Sequence, residues 1–194
     1  NFSDFGPYDV IVIDGSISSS NGDFIYYKLF EPDQMIDSPH VILSHGFFRN
    51  QSVMTGFAEH FASWGIRVLT MNLLHSSFLD NDPIQDAQDL NLLSNEIFER
   101  RSVIYVGHSA GGLRSILAAA QDSNTVAVFG MDLVDILVND SFLGQDYSQD
   151  LSIPLWGIFG EESLCNSNSN GLGIFNLAAN GNAIRIIEAD HCDF

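Results

Sequence analysis

Short apolar runs alternate along the chain with segments in which apolar residues return every three or four positions. The short runs predict β-strands, and the periodic segments predict α-helices. Residues 84–100 illustrate the helical pattern, since Leu90, Leu93 and Ile97 fall on one face. The predicted strands are residues 10–13, 24–30, 41–44, 66–71, 103–106, 126–131, 154–159 and 183–187, and the predicted helices are residues 50–64, 84–100, 113–120 and 172–179.

The order of these elements predicts the fold class. From residue 41 onward, strands and helices mostly alternate, which indicates an α/β domain with a mostly parallel central sheet and helices on both faces. Residues 14–23 are rich in Gly, Ser and Asn, so they are expected to form a turn between two antiparallel N-terminal strands. The sequence shows no repeat, linker or second domain, so residues 1–194 are interpreted as a single domain.

Residues 107–112, with the sequence GHSAGG, join a predicted strand to a predicted helix. They match the G-x-S-x-G pattern of a nucleophile elbow, in which a strained turn lifts a serine hydroxyl above the sheet edge. Ser109 is therefore the candidate nucleophile. A serine hydroxyl needs a base to take its proton and a carboxylate to orient that base, so the rest of the chain must supply both.

His191 is the candidate base. It is one of six histidines, and it follows the last predicted strand, where a hydrolase with the chain order Ser, acid, His carries its base. Several carboxylates remain candidates for the acid. Asp132 ends one predicted strand, Asp135 lies just after it, and Glu161 and Glu162 follow the next strand. Spacing alone does not choose among them.

The loop after the strand at residues 41–44 has the sequence HGFF. In a hydrolase of this topology, a backbone N–H from this loop and the N–H of the residue after the nucleophile form the oxyanion hole. The predicted donors are the N–H groups of Phe47 and Ala110. Phe47, Phe48 and Leu133 are expected to line an apolar substrate pocket.

Charge and hydropathy narrow the range of partners. The chain has 25 acidic and 7 basic residues, for a formal net charge of -18. Nucleic acid and anionic membrane surfaces are therefore expected to repel it. No apolar run approaches the roughly 20 residues of a membrane helix, so no integral membrane segment is predicted.

The chain contains two cysteines, Cys165 and Cys192. A disulfide between them is favoured over two free thiols, and it would tie the loop that carries His191 to the loop after residues 154–159. Because disulfides persist in oxidising compartments, we expect a secreted or periplasmic protein. Residues 1–4 lack the basic-then-apolar pattern of a signal peptide, so the signal is expected to have been removed.

Five segments of the chain have the sequences VILSHGFFRNQ, FASWGIRVLTMN, YVGHSAGGL, FGMDLVD and EADHCDF. Together they resemble the α/β-hydrolase family, and within it the chlorophyllase-like and platelet-activating-factor-acetylhydrolase-like branch. In that branch the acid is the Asp that ends the strand after the nucleophile helix, so the resemblance implies Asp132. It implies no metal or organic cofactor, and it implies a closing helix after the histidine that is absent from residues 192–194.

These features predict a serine carboxylic-ester hydrolase that acts through a Ser-His-Asp triad and an acyl-enzyme on an apolar small-molecule or polymeric ester. One alternative is a cutinase-like polyester hydrolase, since the HGF and GHSAGG segments also resemble that neighbouring branch. Those enzymes carry the acid after the next strand, where this chain has Glu161 and Glu162. A second alternative is a non-catalytic binding protein with the same fold.

Overall fold

Eight strands form one mixed sheet in the computed structural model, which describes residues 2–194. Two further short strands pair as a separate hairpin. In chain order the strands are β1 (Val10–Ser18), β2 (Phe24–Pro32), β3 (His40–Ser44), β4 (Val68–Met71), β5 (Val103–His108), β6 (Thr125–Met131), β7 (Leu137–Val138), β8 (Ser141–Phe142), β9 (Leu155–Phe159) and β10 (Gly181–Arg185).

The helices connect the strands of the main sheet. Within residues 2–194, no helix is both long enough and apolar enough to cross a membrane. The α-helices are α1 (Thr55–Ser63), α2 (Pro83–Ile97), α3 (Ala110–Ala119), α4 (Leu143–Ser148) and α5 (Leu172–Leu177), and two short 3-10 helices cover Gln51–Met54 and Ser167–Ser169.

The main sheet has the strand order β1-β2-β4-β3-β5-β6-β9-β10. The first strand pairs antiparallel with β2, and β2 pairs antiparallel with β4. All other neighbours in the sheet are parallel. The predicted mostly parallel sheet with an antiparallel N-terminal pair is therefore confirmed.

Adjacent residues of the central strands pack into different cores. In β3, Ile42 packs with residues of α2 and α3 on one face of the sheet, whereas Val41 and Leu43 pack with α1 on the other. Burial on both faces explains why this strand reads as a continuous apolar run. Helices therefore cover both faces of the sheet, as predicted.

Strand register brings three functional segments to one edge of the sheet. Ser44 at the end of β3 lies opposite Gly107 of β5, and Gly107 lies opposite Gly130 of β6. Because these strands are parallel, the residues that follow them meet at the carboxyl edge, where open α/β sheets form their crevice. The HGFF loop, Ser109 and Asp132 are consequently neighbours.

The first strand is longer than predicted. Residues 14–18 were expected to belong to a turn, but they continue β1, where Gly15 pairs with Tyr27. A Cβ on Gly15 would lie 2.3 Å from the Tyr27 ring, so a larger residue there would have to displace that ring. Glycine and serine are typical of turns, but here they belong to a polar edge strand that pairs with one neighbouring strand, β2.

Candidate active site

Ser109 occupies the turn between β5 and α3. Its φ of 53° and ψ of -121° lie in a region that non-glycine residues rarely adopt, and its side chain is largely enclosed, with 7% exposed. A Cβ on Gly107 would lie 2.3 Å from the backbone of Gly111, and a Cβ on Gly111 would lie 2.4 Å from the Ser44 carbonyl oxygen. Glycine at both positions is therefore required for the tight turn that presents Ser109.

The structure brings Ser109, His191 and Asp132 together. His191 Nε2 lies 3.0 Å from Ser109 Oγ, and His191 Nδ1 lies 2.6 Å from Asp132 Oδ2. An ionised carboxylate can only accept, so Nδ1 carries the proton and donates to Asp132. Nε2 is then free to accept a hydrogen bond from the Ser109 hydroxyl. This tautomer is the one in which a histidine can take a proton from serine.

Asp132 is fully buried directly after β6, with a φ of 41°. Burial by itself would raise the pKa of its carboxyl group. Hydrogen bonds from His191, Asn166 and the Gly160 N–H outweigh burial and hold the pKa below its usual range. The carboxylate therefore remains charged when His191 becomes protonated.

Asn166 is a site residue that the sequence did not reveal. Its side-chain amide donates to Asp132 Oδ1 at 3.3 Å and Oδ2 at 3.1 Å. The same side chain donates to the Glu161 carbonyl at 2.9 Å and accepts from the Ser163 and Ser169 N–H groups. An asparagine in a polar loop carries no distinctive sequence signal. Only the folded chain shows that it donates hydrogen bonds to the Asp132 carboxylate.

His108, next to Ser109, contacts the backbone that carries His191. Its Nε2 lies 2.8 Å from the His191 carbonyl oxygen, and the two rings are 4.7 Å apart. Burial lowers the pKa of His108. A neutral His108 donates through Nε2–H to that carbonyl, which fixes the terminal loop against the elbow.

The HGFF loop is fixed by His45. The ring Nδ1–H donates to the Gly46 carbonyl at 2.8 Å, and Nε2 accepts from the Leu73 N–H at 3.0 Å. Because Nε2 accepts a hydrogen bond, the imidazole is neutral, and burial lowers the pKa of His45. A Cβ on Gly46 would lie 3.2 Å from Ser109 Cβ, so this loop runs directly beside the serine.

The two predicted oxyanion donors lie on either side of this contact. Phe47 follows Gly46, and Ala110 follows Ser109. Within residues 2–194, neither backbone N–H donates to a protein acceptor. Both donors are consequently free to bind an oxygen that carries negative charge.

The other carboxylates considered as the acid form bonds elsewhere. Glu161 and Glu162 flank Arg185, at 3.9 Å and 3.2 Å. Asp135 is buried and accepts from the backbone N–H groups of Ile136, Gly144 and Gln145. Asp135 therefore anchors the start of α4, and His191 is bonded to Asp132.

Two predictions about the surroundings of the site are wrong. Leu133 is fully buried against Gly112 and does not line a pocket. Cys165 and Cys192 are exposed free thiols and form no disulfide. Their neighbours Asn166 and His191 turn inward to Asp132, which leaves both cysteines on the solvent side. The pair therefore gives no support to an oxidising compartment.

A cavity of about 680 Å³ lies on the α1 side of the sheet, where Val41, Phe57 and Phe61 contribute to its wall. Neither Ser109 nor His191 is among the residues that form its wall. In the part of the chain that the structure describes, no group of three or more His, Cys, Asp or Glu side chains is arranged to hold a metal ion.

No protein-family model matches the chain, and no curated protein sequence matches it. Solved structures nevertheless resemble it over most of its length. The α/β hydrolase GrgF from Penicillium sp. sh18 is 15% identical over 94% of this chain and 92% of its own, with a TM-score of 0.76. An acetyl xylan esterase from Paenibacillus sp. R4 is 12% identical over 94% of this chain and 81% of its own, with a TM-score of 0.71. The esterase domain of a Rhodothermus marinus protein is 15% identical over 93% of this chain and 90% of its own, with a TM-score of 0.70. The chain therefore has the α/β-hydrolase fold.

Proposed function

We propose that the protein is a serine carboxylic-ester hydrolase. Ser109 is the nucleophile, His191 is the general base, and Asp132 orients the base. The observation that carries this proposal is the unbroken line of hydrogen bonds from Asp132 through His191 to Ser109 Oγ, with lengths of 2.6 Å and 3.0 Å. The 3.0 Å contact lies within the range for proton transfer from a nucleophile to its base, and the 2.6 Å contact is a short hydrogen bond that orients the base.

Acylation begins when Ser109 Oγ attacks the ester carbonyl carbon while His191 Nε2 takes the hydroxyl proton. The carbonyl oxygen becomes an oxyanion, which the N–H groups of Phe47 and Ala110 stabilise. The bond between the acyl carbon and the alcohol oxygen then breaks. His191 gives its proton to that oxygen, and the alcohol leaves.

Deacylation repeats these steps with water. His191 takes a proton from the water as its oxygen attacks the acyl carbon, and the same two N–H groups receive the second oxyanion. The bond to Ser109 Oγ breaks, His191 returns the proton to Oγ, and the carboxylic acid leaves. Asp132 remains an anion throughout and stabilises the imidazolium in each half of the reaction.

Two similar structures support esters as the substrates. They are named as an acetyl xylan esterase and an esterase domain. Asp132 directly follows β6, the strand after the nucleophile helix α3. This position of the acid favours the chlorophyllase-like and platelet-activating-factor-acetylhydrolase-like branch over the cutinase-like branch.

The test is turnover of p-nitrophenyl acetate by the wild-type protein and by Ser109→Ala. We expect the variant to lose roughly 10³-fold or more in kcat, because the nucleophile is gone. A wild-type rate no higher than that of the variant would instead favour a non-catalytic binding protein.

The choice of acid is tested separately. We expect Asp132→Asn to lower kcat by roughly 10⁴-fold, because an amide does not hold the required histidine tautomer. Glu161→Gln and Glu162→Gln are the matched controls, and both are expected to retain kcat. Loss of activity in either glutamate variant with retention in Asp132→Asn would overturn the assignment.

A further inference from the structure

Three phenylalanine rings pack together at the HGFF loop. The ring centroids of Phe47 and Phe48 are 4.8 Å apart, and that of Phe78 lies 5.2 Å from Phe47 and 4.6 Å from Phe48. Such distances are typical of favourable aromatic pairs. We call these rings the Phe cluster. Phe48 and Phe78 are 56% and 83% exposed, so packing into the protein core does not account for the cluster.

The backbone beneath the Phe cluster is fixed. Phe48 has a φ of 56°, which is rare for a bulky residue, and its N–H donates to the Ser76 carbonyl at 3.2 Å. That bond joins the HGFF loop to residues 75–82, which we call the arm. Ser76 and Asn81 pair across the arm, and Phe78 lies between them at its tip.

Arg114 of α3 anchors the arm. Its guanidinium group is 1% exposed and donates to the His75 carbonyl at 3.0 Å and to Asn81 Oδ1 at 2.7 Å. It also pairs with Asp86 at 3.1 Å. Arg114 thus holds the arm at both ends from the helix that begins directly after Ser109. Phe78 is exposed to solvent, but the arm that carries it is not a free loop.

We infer, on the basis of the function proposed above, that Phe78 determines substrate specificity and that the Phe cluster binds the apolar acyl or aryl part of a neutral ester. Phe47 supplies both an oxyanion donor and one ring of the cluster. Gly46 lies against Ser109, and Phe47 and Phe48 follow it directly, so the Phe cluster adjoins the loop beside the nucleophile. The cluster contains no charged side chain, and the net charge of -18 disfavours anionic esters.

The test compares p-nitrophenyl acetate with p-nitrophenyl octanoate, which share one leaving group. In Phe78→Ala we expect the ratio of kcat/KM for octanoate to kcat/KM for acetate to fall about tenfold, because an apolar wall discriminates by the contact it makes with the longer chain. Phe5→Ala is the matched control. Phe5 is also exposed and contacts His60 edge-to-face near the end of α1, away from the carboxyl edge of the sheet. An unchanged ratio in Phe78→Ala, or an equal fall in Phe5→Ala, would overturn the inference.

A binding measurement separates this inference from the proposed function. Octyl p-nitrophenyl ether cannot be hydrolysed by the triad, and its binding can be followed by calorimetry. We expect Phe78→Ala to bind the ether about tenfold more weakly than the wild-type protein and Phe5→Ala to bind it equally well. If the ether binds in a Phe78-dependent way but the protein does not turn over esters, only the proposed esterase activity is refuted. Ester turnover without Phe78-dependent binding would refute only the role of the Phe cluster.

Discussion

The side-chain amide of Asn166 donates to both carboxylate oxygens of Asp132, at 3.3 Å to Oδ1 and 3.1 Å to Oδ2. Asn166 is fully buried, and its own carbonyl oxygen accepts from the Ser163 and Ser169 N–H groups. A buried carboxylate needs several donors to remain ionised. In the proposed mechanism Asn166 is therefore a positioning residue, because it contacts Asp132 and not the reacting atoms.

We predict that Asn166→Ala lowers kcat by about tenfold or more, since a hydrogen bond to a charged group contributes roughly 1.5–3 kcal/mol. KM is expected to change little, because Asn166 does not contact the substrate. The pKa of Asp132 should rise, since a donor to its charged form is lost. Steady-state kinetics and carboxyl-carbon NMR titration measure the two effects.

Asn170→Ala is the matched control for this prediction. Asn170 lies in the same loop, but its side chain bonds to the backbone of Asp135. We expect this variant to loosen the loop without lowering kcat or shifting the pKa of Asp132. Equal losses in both variants would show that Asn166 acts only through the loop.

The backbone of Ser109 is predicted to be strained. Its φ of 53° suits glycine better than alanine. We therefore expect Ser109→Gly to be more stable than Ser109→Ala by about 1 kcal/mol, although both lose activity. Ser115 lies in the regular part of α3, so there the order should reverse, with Ser115→Gly less stable than Ser115→Ala by about 1 kcal/mol. Urea denaturation measures both pairs, and the same order at the two positions would exclude strain at Ser109.

Breaking the buried ion pair between Arg114 and Asp86 is predicted to lower the free energy of unfolding strongly. Both side chains are almost fully enclosed, at 1% and 0% exposure. Asp86→Ala leaves the Arg114 charge without its partner and should destabilise the fold by about 3–5 kcal/mol. Adding Arg114→Met should recover much of that loss. Asp14→Ala, which breaks the exposed pair with Lys28, should cost at most about 1 kcal/mol. A small loss in Asp86→Ala would contradict this account.

The lowered pKa of Asp132 also predicts a pH dependence of stability. A carboxyl group whose pKa is lower in the folded state stabilises that state above its unfolded pKa of about 3.9. The contribution is lost as the pH falls through the folded value, because the group is then protonated in both states. The difference in unfolding free energy between the wild-type protein and Asp132→Asn should therefore shrink as the pH is lowered below about 4. A difference that is constant with pH would contradict the lowered pKa.

The sequence predicted those parts of the site that depend on local backbone geometry. The glycines around Ser109 are needed within one turn, so the GHSAGG motif identifies the elbow without reference to distant residues. Alternating apolar segments identified the parallel sheet in the same way. The turn predicted at residues 14–18 was wrong because glycine and serine are compatible with a polar edge strand as well as with a turn.

The sequence did not predict contacts between distant segments. Asn166 and Asp132 are 34 residues apart, and nothing in the intervening sequence indicates that they meet. The predicted disulfide was wrong for a related reason, because the presence of two cysteines in a sequence does not show which way each side chain faces. Arg114 falls within the predicted helix of residues 113–120, and its anchoring role depends on an arm that comes earlier in the chain.

Covalent labelling tests most directly whether Ser109 is the nucleophile. Diethyl p-nitrophenyl phosphate phosphorylates an activated serine and releases p-nitrophenolate, and intact-mass and peptide mass spectrometry locate the adduct. We predict one diethylphosphoryl group per chain, bonded to Ser109 Oγ, with labelling lost in Ser109→Ala and strongly slowed in His191→Ala. A wild-type protein that remains unlabelled, or that carries the adduct at another residue, would contradict the assignment of Ser109 as the nucleophile.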